Sequence, residues 1–337
     1  MRRQDNEARN QPHTGVVVLG SLNMDLSVNV PAIPRPGETI LGGPVTQMPG
    51  GKGANQAVAA SRLGGAVRLI GRLGRDEMAD RIRAVLLDAG VDLTYVRPKD
   101  DVVSGLAFVS VDPHGENAIV VSSGANGQVS PADVDLDAGA LVGASIAVTQ
   151  LETPLDAVAR FADVCEDHEV ALVLNAAPYR SLPDGLLRRC SYLIVNRDEA
   201  AALTGIAVRQ RADAYEALAE AARQGAKSVV VTLGGDGCVA LADGHYIELD
   251  PYQVPVVDTS GAGDAFVGAF AVALSRGSGF EEALMFAAAA GAVTCAHGGA
   301  QSLLTSDETE QLIEQQVQVP RRTPAPDLVP HIASSDG

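Results

Sequence analysis

Tryptophan is absent from this chain of 337 residues, and Phe, Tyr and Trp together make up 4%. Base stacking on aromatic side chains therefore has little to work with. Lysine is scarce as well: Lys52, Lys99 and Lys227 are the whole complement, and the other cations are dispersed arginines. With 42 acidic residues against 25 basic ones, the formal charge is −17. Counterion release at a phosphate backbone needs clustered basic residues, so nucleic acid is excluded as the main partner. The same negative field opposes a polyanionic small molecule. Any phosphate site must then be built locally, from backbone N–H groups or a metal.

Cysteine is limited to Cys165, Cys190, Cys238 and Cys295, with no CxxC pair and no His at metal spacing. They read as buried, reduced thiols of a cytoplasmic protein. No apolar run reaches the length of a membrane span, so no membrane partner is expected. The opening MRRQDNEARNQPHTG has two arginines but no apolar segment behind them, which does not suit a secretory signal. It reads as a disordered arm over residues 1–14. The end, from Val317 on, is rich in Pro and small polar residues and is expected to be a disordered tail over 317–337. No linker or repeat interrupts residues 15–316, which read as one domain.

What the chain does have is 46% hydrophobic residues and 35 glycines, suited to a large core with many tight turns. Near-continuous Val/Ile/Leu runs recur at 16–20, 67–73, 145–151, 170–174, 192–195 and 228–233. Such runs suit strands buried on both faces. Between them, Met78, Ile82, Val85, Leu86 and Ala89 fall on one helical face, as do Leu155, Val158, Ala162 and Cys165 after an expected Thr153 cap. Strand alternating with helix predicts right-handed crossovers and a parallel sheet. Period-2 patterning at about 24–48 and 104–122 predicts antiparallel hairpins instead, forming a small sheet that acts as a lid.

Open parallel sheets bind ligands beyond the carboxyl ends of their strands, and polar residues gather there. The strongest signal is Asp258-Thr259-Ser260-Gly261-Ala262-Gly263-Asp264 running into the helical stretch 265–275. Glycines before a helix N-terminus offer free N–H groups to an anion, and an Asp there can take a proton from a substrate hydroxyl. The plainer alternative is a glycine-rich turn with an Asp cap. A second signal, Gly50-Gly51-Lys52-Gly53-Ala54-Asn55-Gln56, opens another helix and lets backbone approach a small ligand. Asn23 and Asp25, two apart in an extended segment, face one side. With Glu152 they make a cluster of acceptors suited to a polyhydroxy ligand, or else solvated strand residues. Neither a Walker A loop nor a dinucleotide fingerprint is present: Gly53 follows Lys52, and Phe266 stands where the last glycine would be.

GSLNMD at 20–25, PGET at 36–39, GGKGANQ at 50–56, QLE at 150–152, NRDE at 196–199, TLGGDG at 232–237 and DTSGAGD at 258–264 occur in that order. Together they resemble the ribokinase (PfkB-type) family of carbohydrate kinases, over about residues 16–304. The resemblance implies a three-layer α/β/α ribokinase-like fold with a central, mostly parallel sheet and a small antiparallel β lid. It implies ATP-dependent phosphorylation of the 5-hydroxyl of D-ribose, with Asp264 as general base and the amides of Gly261, Ala262 and Gly263 as the anion hole. Asn23, Asp25, Gly51, Lys52, Gly53, Ala54, Asn55 and Glu152, with Asp264, would hold the sugar. Asn196, Thr232, Leu233, Gly234, Gly235, Asp236, Gly237 and Ala288, with Gly263 and Asp264, would hold the nucleotide. Glu199 would organise Mg²⁺ through water. An activating K⁺ would sit by Asp258, Ser260, Thr294, His297 and Gly299, and the last position of its shell falls on Leu303, where the family usually carries Ser. The lid would double as a homodimer interface. Two other readings stand beside this one: a kinase for 2-deoxyribose or a nucleoside such as adenosine, or a sugar-binding regulator without catalysis.

Overall fold

The computed structural model describes residues 15–297 and 304–325, so the arm expected at 1–14 lies outside them. The predicted strands form: β1 (Gly15–Leu19), β4 (Ala66–Leu73), β8 (Ala144–Thr149), β9 (Ala171–Asn175), β10 (Tyr192–Asn196) and β11 (Ser228–Thr232). With β5 (Val96–Pro98), β12 (Cys238–Ala242), β13 (His245–Leu249) and β14 (Arg321–Pro324) they make one sheet. Among the described residues that sheet has ten strands, ordered β14-β13-β12-β11-β10-β9-β8-β1-β4-β5. From β11 to β5 all pairings are parallel; β12, β13 and β14 add on antiparallel.

Each parallel strand is apolar at consecutive positions because both faces are covered. Val16 and Val18 point into one core, Val17 and Leu19 into the other. The first core is closed by α1 (Lys52–Arg62), α2 (Glu77–Asp88), α6 (Ala262–Ser275) and α7 (Phe280–His297). The second is closed by α3 (Leu155–Asp167), α4 (Arg197–Thr204) and α5 (Arg211–Arg223). A further helix, α8 (Ser306–Gln315), packs on α7. Fully buried Phe161 and Phe270 each contribute on the order of 2–3 kcal/mol through removal from water. One charged cluster is enclosed near the β4 edge. Arg72, 1% exposed, meets Asp137 at 2.8 Å and Asp133 at 3.1 Å, and Arg97 and Lys99 complete the pairing. Burial would raise the Asp133 carboxyl, but bonds from Lys99, Ser130 and Arg72 outweigh it and pull it down to about 2.

The hairpins β2 (Asn23–Asn29)/β3 (Val45–Gly50) and β6 (Gly105–Val111)/β7 (Asn117–Ser122) are antiparallel as expected. They join into one four-stranded sheet through a parallel β2–β6 pairing.

Three local expectations need correction. Thr153 does not cap α3: Pro154 occupies the cap position, and the Thr153 hydroxyl is buried without a partner. The β12–β13 hairpin went unread although Asp243-Gly244, both at positive φ, is a strong two-residue turn signal. Of the tail expected over 317–337, residues 326–337 lie outside the described residues, and the part up to Ala325 is not all coil. Arg321–Pro324 pairs with β13, and Ala325, 1% exposed, donates its N–H to Gly244 O at 2.9 Å. Hydrogen bonding to an open sheet edge orders a segment whose composition alone suggests a coil.

Candidate active site

The carboxyl ends of β1, β8, β9, β10 and β11 converge on the N-termini of α1, α4 and α6. Between them lies a cavity lined by Lys52, Asn175, Asn196, Glu199, Thr232, Gly261, Gly263 and Asp264, among others. Helix α1 starts where it does because Gly51, at φ 89°, turns the chain; a Cβ there would lie 2.9 Å from Asn23 N. Its first free N–H groups are then met by the loop after β1 and by Glu152. Lys52 N donates to Glu152 Oε2 at 3.0 Å, Gly53 N to Ser21 Oγ at 3.3 Å and Ala54 N to Ser21 O at 2.9 Å. Ser21 Oγ also donates to Glu152 Oε2, at 2.5 Å. Glu152 is thus a cap for α1, which suits a carboxylate at a helix N-terminus.

Asp264 sits in the first turn of α6, behind Gly261 in the left-handed region at φ 79°. Both its oxygens accept: Oδ2 from Asn55 Nδ2 at 3.0 Å and Oδ1 from Gln56 Nε2 at 2.9 Å. Gln56 is fully buried. Its second N–H goes to Asn175 Oδ1 at 3.0 Å, and its Oε1 accepts from Gln150 Nε2 at 2.6 Å. Asn175 in turn donates to Ile194 O at 3.1 Å. Each hydrogen of the Gln56 amide is therefore assigned, and the Asp264 carboxylate can occupy only one orientation. Sequence reasoning had placed Asn55 and Asp264 but missed the Gln56–Gln150–Asn175 chain. Two of its members stood inside quoted motifs, GGKGANQ and QLE.

Of the three amides expected to form an anion hole, that of Ala262 is already engaged. Ala262 N–H donates to Thr259 O at 3.3 Å, so it closes the turn. Gly263 and Asp264 occupy positions whose N–H groups no carbonyl of the helix can reach. Gly263 and Asp264 both line the cavity.

Asn23 and Asp25 lie on β2 as predicted. Asn23 Oδ1 accepts from Asn126 Nδ2 at 2.7 Å, and Asn126, 1% exposed, also brackets Leu22 through its N–H and C=O. Nothing in the sequence had marked Asn126. Asp25 Oδ1 is buried without a partner. Burial first, then the charges of Glu152 and Asp264, push the Asp25 carboxyl up to about 6. Gly50 has no side chain because a Cβ would collide with that carboxylate. Burial works against the charge of Lys52, but Asp264, Glu152 and Glu199 outweigh it and raise its pKa. The site is an acidic pocket holding one retained cation.

Asn196 and Glu199 form a reciprocal cap on α4, each side chain bonding the other's backbone N–H at 2.9 Å. The expected phosphate contact of Asn196 is thereby restricted to its Nδ2 group. Burial raises the Glu199 carboxyl; Asn196 N–H and Lys52 oppose that, and Asp264 and Asp198 add to it. Of the stretch Thr232–Gly237, only Thr232 lines the cavity. Leu233 is buried, and the short turn Gly234–Asp236 runs on from it, closed by Leu233 N to Gly237 O at 2.8 Å. The Asp236 carboxylate is taken by Arg197, which also donates to Leu233 O at 3.1 Å. Ala288 lies half-buried on α7 against the first core.

The loop before α6 is stitched to the end of α7. Val257 N and Asp258 N both donate to Cys295 O, at 2.9 and 3.3 Å, and Ser260 N donates to Asp258 Oδ1 at 2.9 Å. Thr294 is buried, with its hydroxyl donating to Ala290 O, and His297 Nε2 faces Glu308 Oε1 at 3.2 Å. Gly299 and Leu303 lie outside the described residues. Among the described residues no group of three or more His, Cys, Asp or Glu side chains is arranged to hold a metal ion. No helix among them is long and apolar enough to cross a membrane.

Comparison with known proteins gives the same outline. Residues 13–307 match the family described as pfkB family carbohydrate kinase. A ribokinase of Haemophilus influenzae is 36% identical over 300 residues, covering 89% of this chain and 98% of its own. A deoxyribokinase of Salmonella typhimurium is 33% identical over 298 residues, covering 87% and 96%. The solved structure of Arabidopsis thaliana ribokinase complexed with ribose and ATP matches with a TM-score of 0.83 at 33% identity, covering 89% of this chain and 99% of that one.

Proposed function

Because the chain belongs to the pfkB family of carbohydrate kinases, we propose that it transfers the γ-phosphoryl group of ATP to the 5-hydroxyl of D-ribose. The observation that carries this is the Asp264 carboxylate, held at both oxygens by Asn55 and Gln56 at the start of a helix whose Gly263 and Asp264 amides have no carbonyl partner within the helix. Asp264 takes the proton of the hydroxyl as that oxygen forms its bond to phosphorus, and ADP departs. The Gly263 and Asp264 amides, with the α6 dipole, stabilise charge on the phosphoryl oxygens. Asn23, Asp25, Asn55, Lys52 and Glu152 hold the sugar; the unpartnered Asp25 Oδ1 is the acceptor a ring hydroxyl satisfies.

The donor set at the nucleotide end fits Mg²⁺, which prefers phosphate and water oxygens plus one or two carboxylates: Glu199 faces the cavity beside Asp264. When bound, Mg²⁺ neutralises charge between the terminal phosphates. A K⁺ ion would lie between the 258–260 loop and the end of α7, held by oxygens of Asp258, Ser260, Thr294, His297 and Gly299. Support for these is the stitching of the two segments through Cys295 O. Thr232 through Gly237, Asn196 and Ala288 complete the nucleotide side.

The lid sheet would join two copies. On its exposed face Phe108 and Val120 stand directly opposite each other, 48% and 67% exposed, an apolar pair that a second lid would cover. Four unpaired cysteines suit a reducing cytoplasm. A second reading, phosphorylation of 2-deoxyribose, is favoured by the similarity to the Salmonella deoxyribokinase.

The test is ADP release with Mg²⁺-ATP and D-ribose, 2-deoxyribose, fructose or adenosine, each with K⁺ or Na⁺. Turnover on ribose, raised by K⁺ and cut by orders of magnitude in Asp264→Asn, is expected. Preference for 2-deoxyribose would shift the assignment to the second reading. No turnover with any acceptor would overturn both and leave a sugar-binding protein.

A further inference from the structure

Strand β14 lies past residue 307, where the family match ends, yet its first side chain enters a charge network that reaches the stretch Thr232–Gly237. Arg321 grips Asp250 with both Nη atoms, at 2.6 and 3.0 Å, and Nη2 also donates to Glu248 Oε2 at 3.0 Å. Arg211 Nη1 meets the same two carboxylates from the other side, Glu248 Oε2 at 3.0 Å and Asp250 Oδ1 at 2.8 Å. The other terminal nitrogen, Arg211 Nη2, donates to the backbone carbonyl of Asp236 at 2.5 Å. Tyr215 completes the cluster through Glu248 Oε1. The Asp236 side chain is meanwhile held by Arg197. The turn is therefore fastened at its carboxylate by one arginine and at its carbonyl by another, and the second of these shares both of its carboxylate partners with Arg321 of β14.

We propose that the C-terminal strand, through Arg321, is a positioning element for the Thr232–Gly237 turn and so sets the affinity for the nucleotide. This rests on the reading of that turn as part of the ATP site given above. Glu248 and Asp250 sit two apart on one face at the end of β13. Two like charges in such proximity repel unless cations on both sides hold them. Bonds from Arg321 and then Arg211 keep Asp250 well below the usual carboxylate range. With Arg321 removed, the pair keeps one cation and is drawn onto Arg211, whose guanidinium must then serve two carboxylates and the Asp236 carbonyl alone. The turn is short, with Gly234 and Gly237 both at positive φ and Gly235 in open space. Three short backbone bonds close it (Leu233 N to Gly237 O at 2.8 Å, Gly237 N to Gly234 O at 3.0 Å, Asp236 N to Leu233 O at 3.2 Å), and the two arginines fix how the closed turn sits against the neighbouring elements. The strand itself is secured independently, by four residue pairings with β13 and by Ala325 in the second core. Loss of the Arg321 side chain can therefore be separated from loss of the strand.

The experiment measures binding of the ATP analogue AMP-PNP with Mg²⁺ by calorimetry, and steady-state KM values for ATP and sugar. It uses the full chain, Arg321→Ala, Arg321→Lys, Thr323→Ala and a chain ending at Pro320. Exposed ion pairs acting as a network predict a loss of about two- to fivefold in nucleotide affinity for Arg321→Ala. KM for ATP should rise by the same factor, with kcat and the KM for sugar within about twofold of the parent. Arg321→Lys, which keeps the charge without the fork, should fall between. Thr323→Ala, which keeps the strand and the network, should match the parent, and the shortened chain should lose at least as much as Arg321→Ala. An Arg321→Ala protein with unchanged far-ultraviolet circular dichroism and unchanged AMP-PNP affinity would overturn the proposal. So would equal weakening of sugar and nucleotide, which would mean general loosening. The parent protein alone tests the underlying reading: if it binds no AMP-PNP, the turn is not part of an ATP site and the proposal goes with it.

Discussion

Asp25→Asn should make the protein more stable at neutral pH while removing much of its affinity for sugar. The Asp25 carboxyl is pushed from 3.8 to about 6 by burial, with Glu152 and Asp264 adding to it, and its Oδ1 has no partner. In the unfolded chain the group loses its proton near its ordinary value; in the folded one it keeps the proton up to about pH 6. Between those values the folded state binds more protons, so stability falls as pH rises, and the loss is complete above about pH 6. A displacement of this size corresponds to about 3 kcal/mol. The substitution keeps shape and removes the titration. At pH 4.5, where the folded carboxyl is mostly protonated but the unfolded one is already mostly ionised, the variant should lead by only about 1 kcal/mol. At pH 7.5 the variant should be more stable by about 2–3 kcal/mol. Urea unfolding followed by far-ultraviolet circular dichroism at both pH values measures this difference. The KM for sugar should rise by about 10- to 100-fold, because a charge-assisted hydrogen bond to a hydroxyl is lost. Parallel pH–stability curves for the two proteins would refute the reasoning, since the carboxyl would then ionise as freely in the folded chain as in the unfolded one.

Gln56→Met keeps the volume of the side chain but removes both amide donors; kcat should fall by about 10²-fold while sugar affinity, by direct titration, stays within a few-fold. Normal kcat would mean that Asn55 alone orients Asp264. Asp137→Ala leaves buried Arg72 with Asp133 as its remaining carboxylate and should cost about 3–5 kcal/mol in urea unfolding; a cost under 1 kcal/mol would show that Arg72 finds water instead. If the lid joins two copies as proposed, the parent should sediment as a dimer and Val120→Asp as a monomer in analytical ultracentrifugation. An unchanged sedimentation coefficient would move the interface away from the lid.

The parts of the fold that were legible are those whose residues report their own surroundings. A strand such as Val16–Leu19 is apolar at every position because both faces are buried, and that pattern survives in the linear chain. The glycines around Lys52 and Asp264 were legible for a similar reason: backbone at positive φ and close approach to a neighbour both exclude a side chain. Asn126, Asn175 and Gln150 were not. A buried amide looks in sequence like any surface amide, and its meaning lies in partners 103, 119 and 94 residues away. Strand β14 was misread because its four residues have no apolar pattern; the unpaired edge of β13 orders them.

Read without coordinates, the chain already fixes the alternation of strand and helix, the edge of the sheet on which polar groups gather, and the chemical types brought there: a carboxylate, a lysine and glycine-rich turns. These follow from local rules of period, turn conformation and helix termini. Only the tertiary structure decided which carboxylate is raised, which amide holds the base and which N–H groups stay open to an anion. Folding likewise brings residues 321–324 into a charge network that reaches the Gly234–Asp236 turn. Those properties depend on distances between residues far apart in the chain and on the exclusion of water around them, and neither exists until the chain has folded.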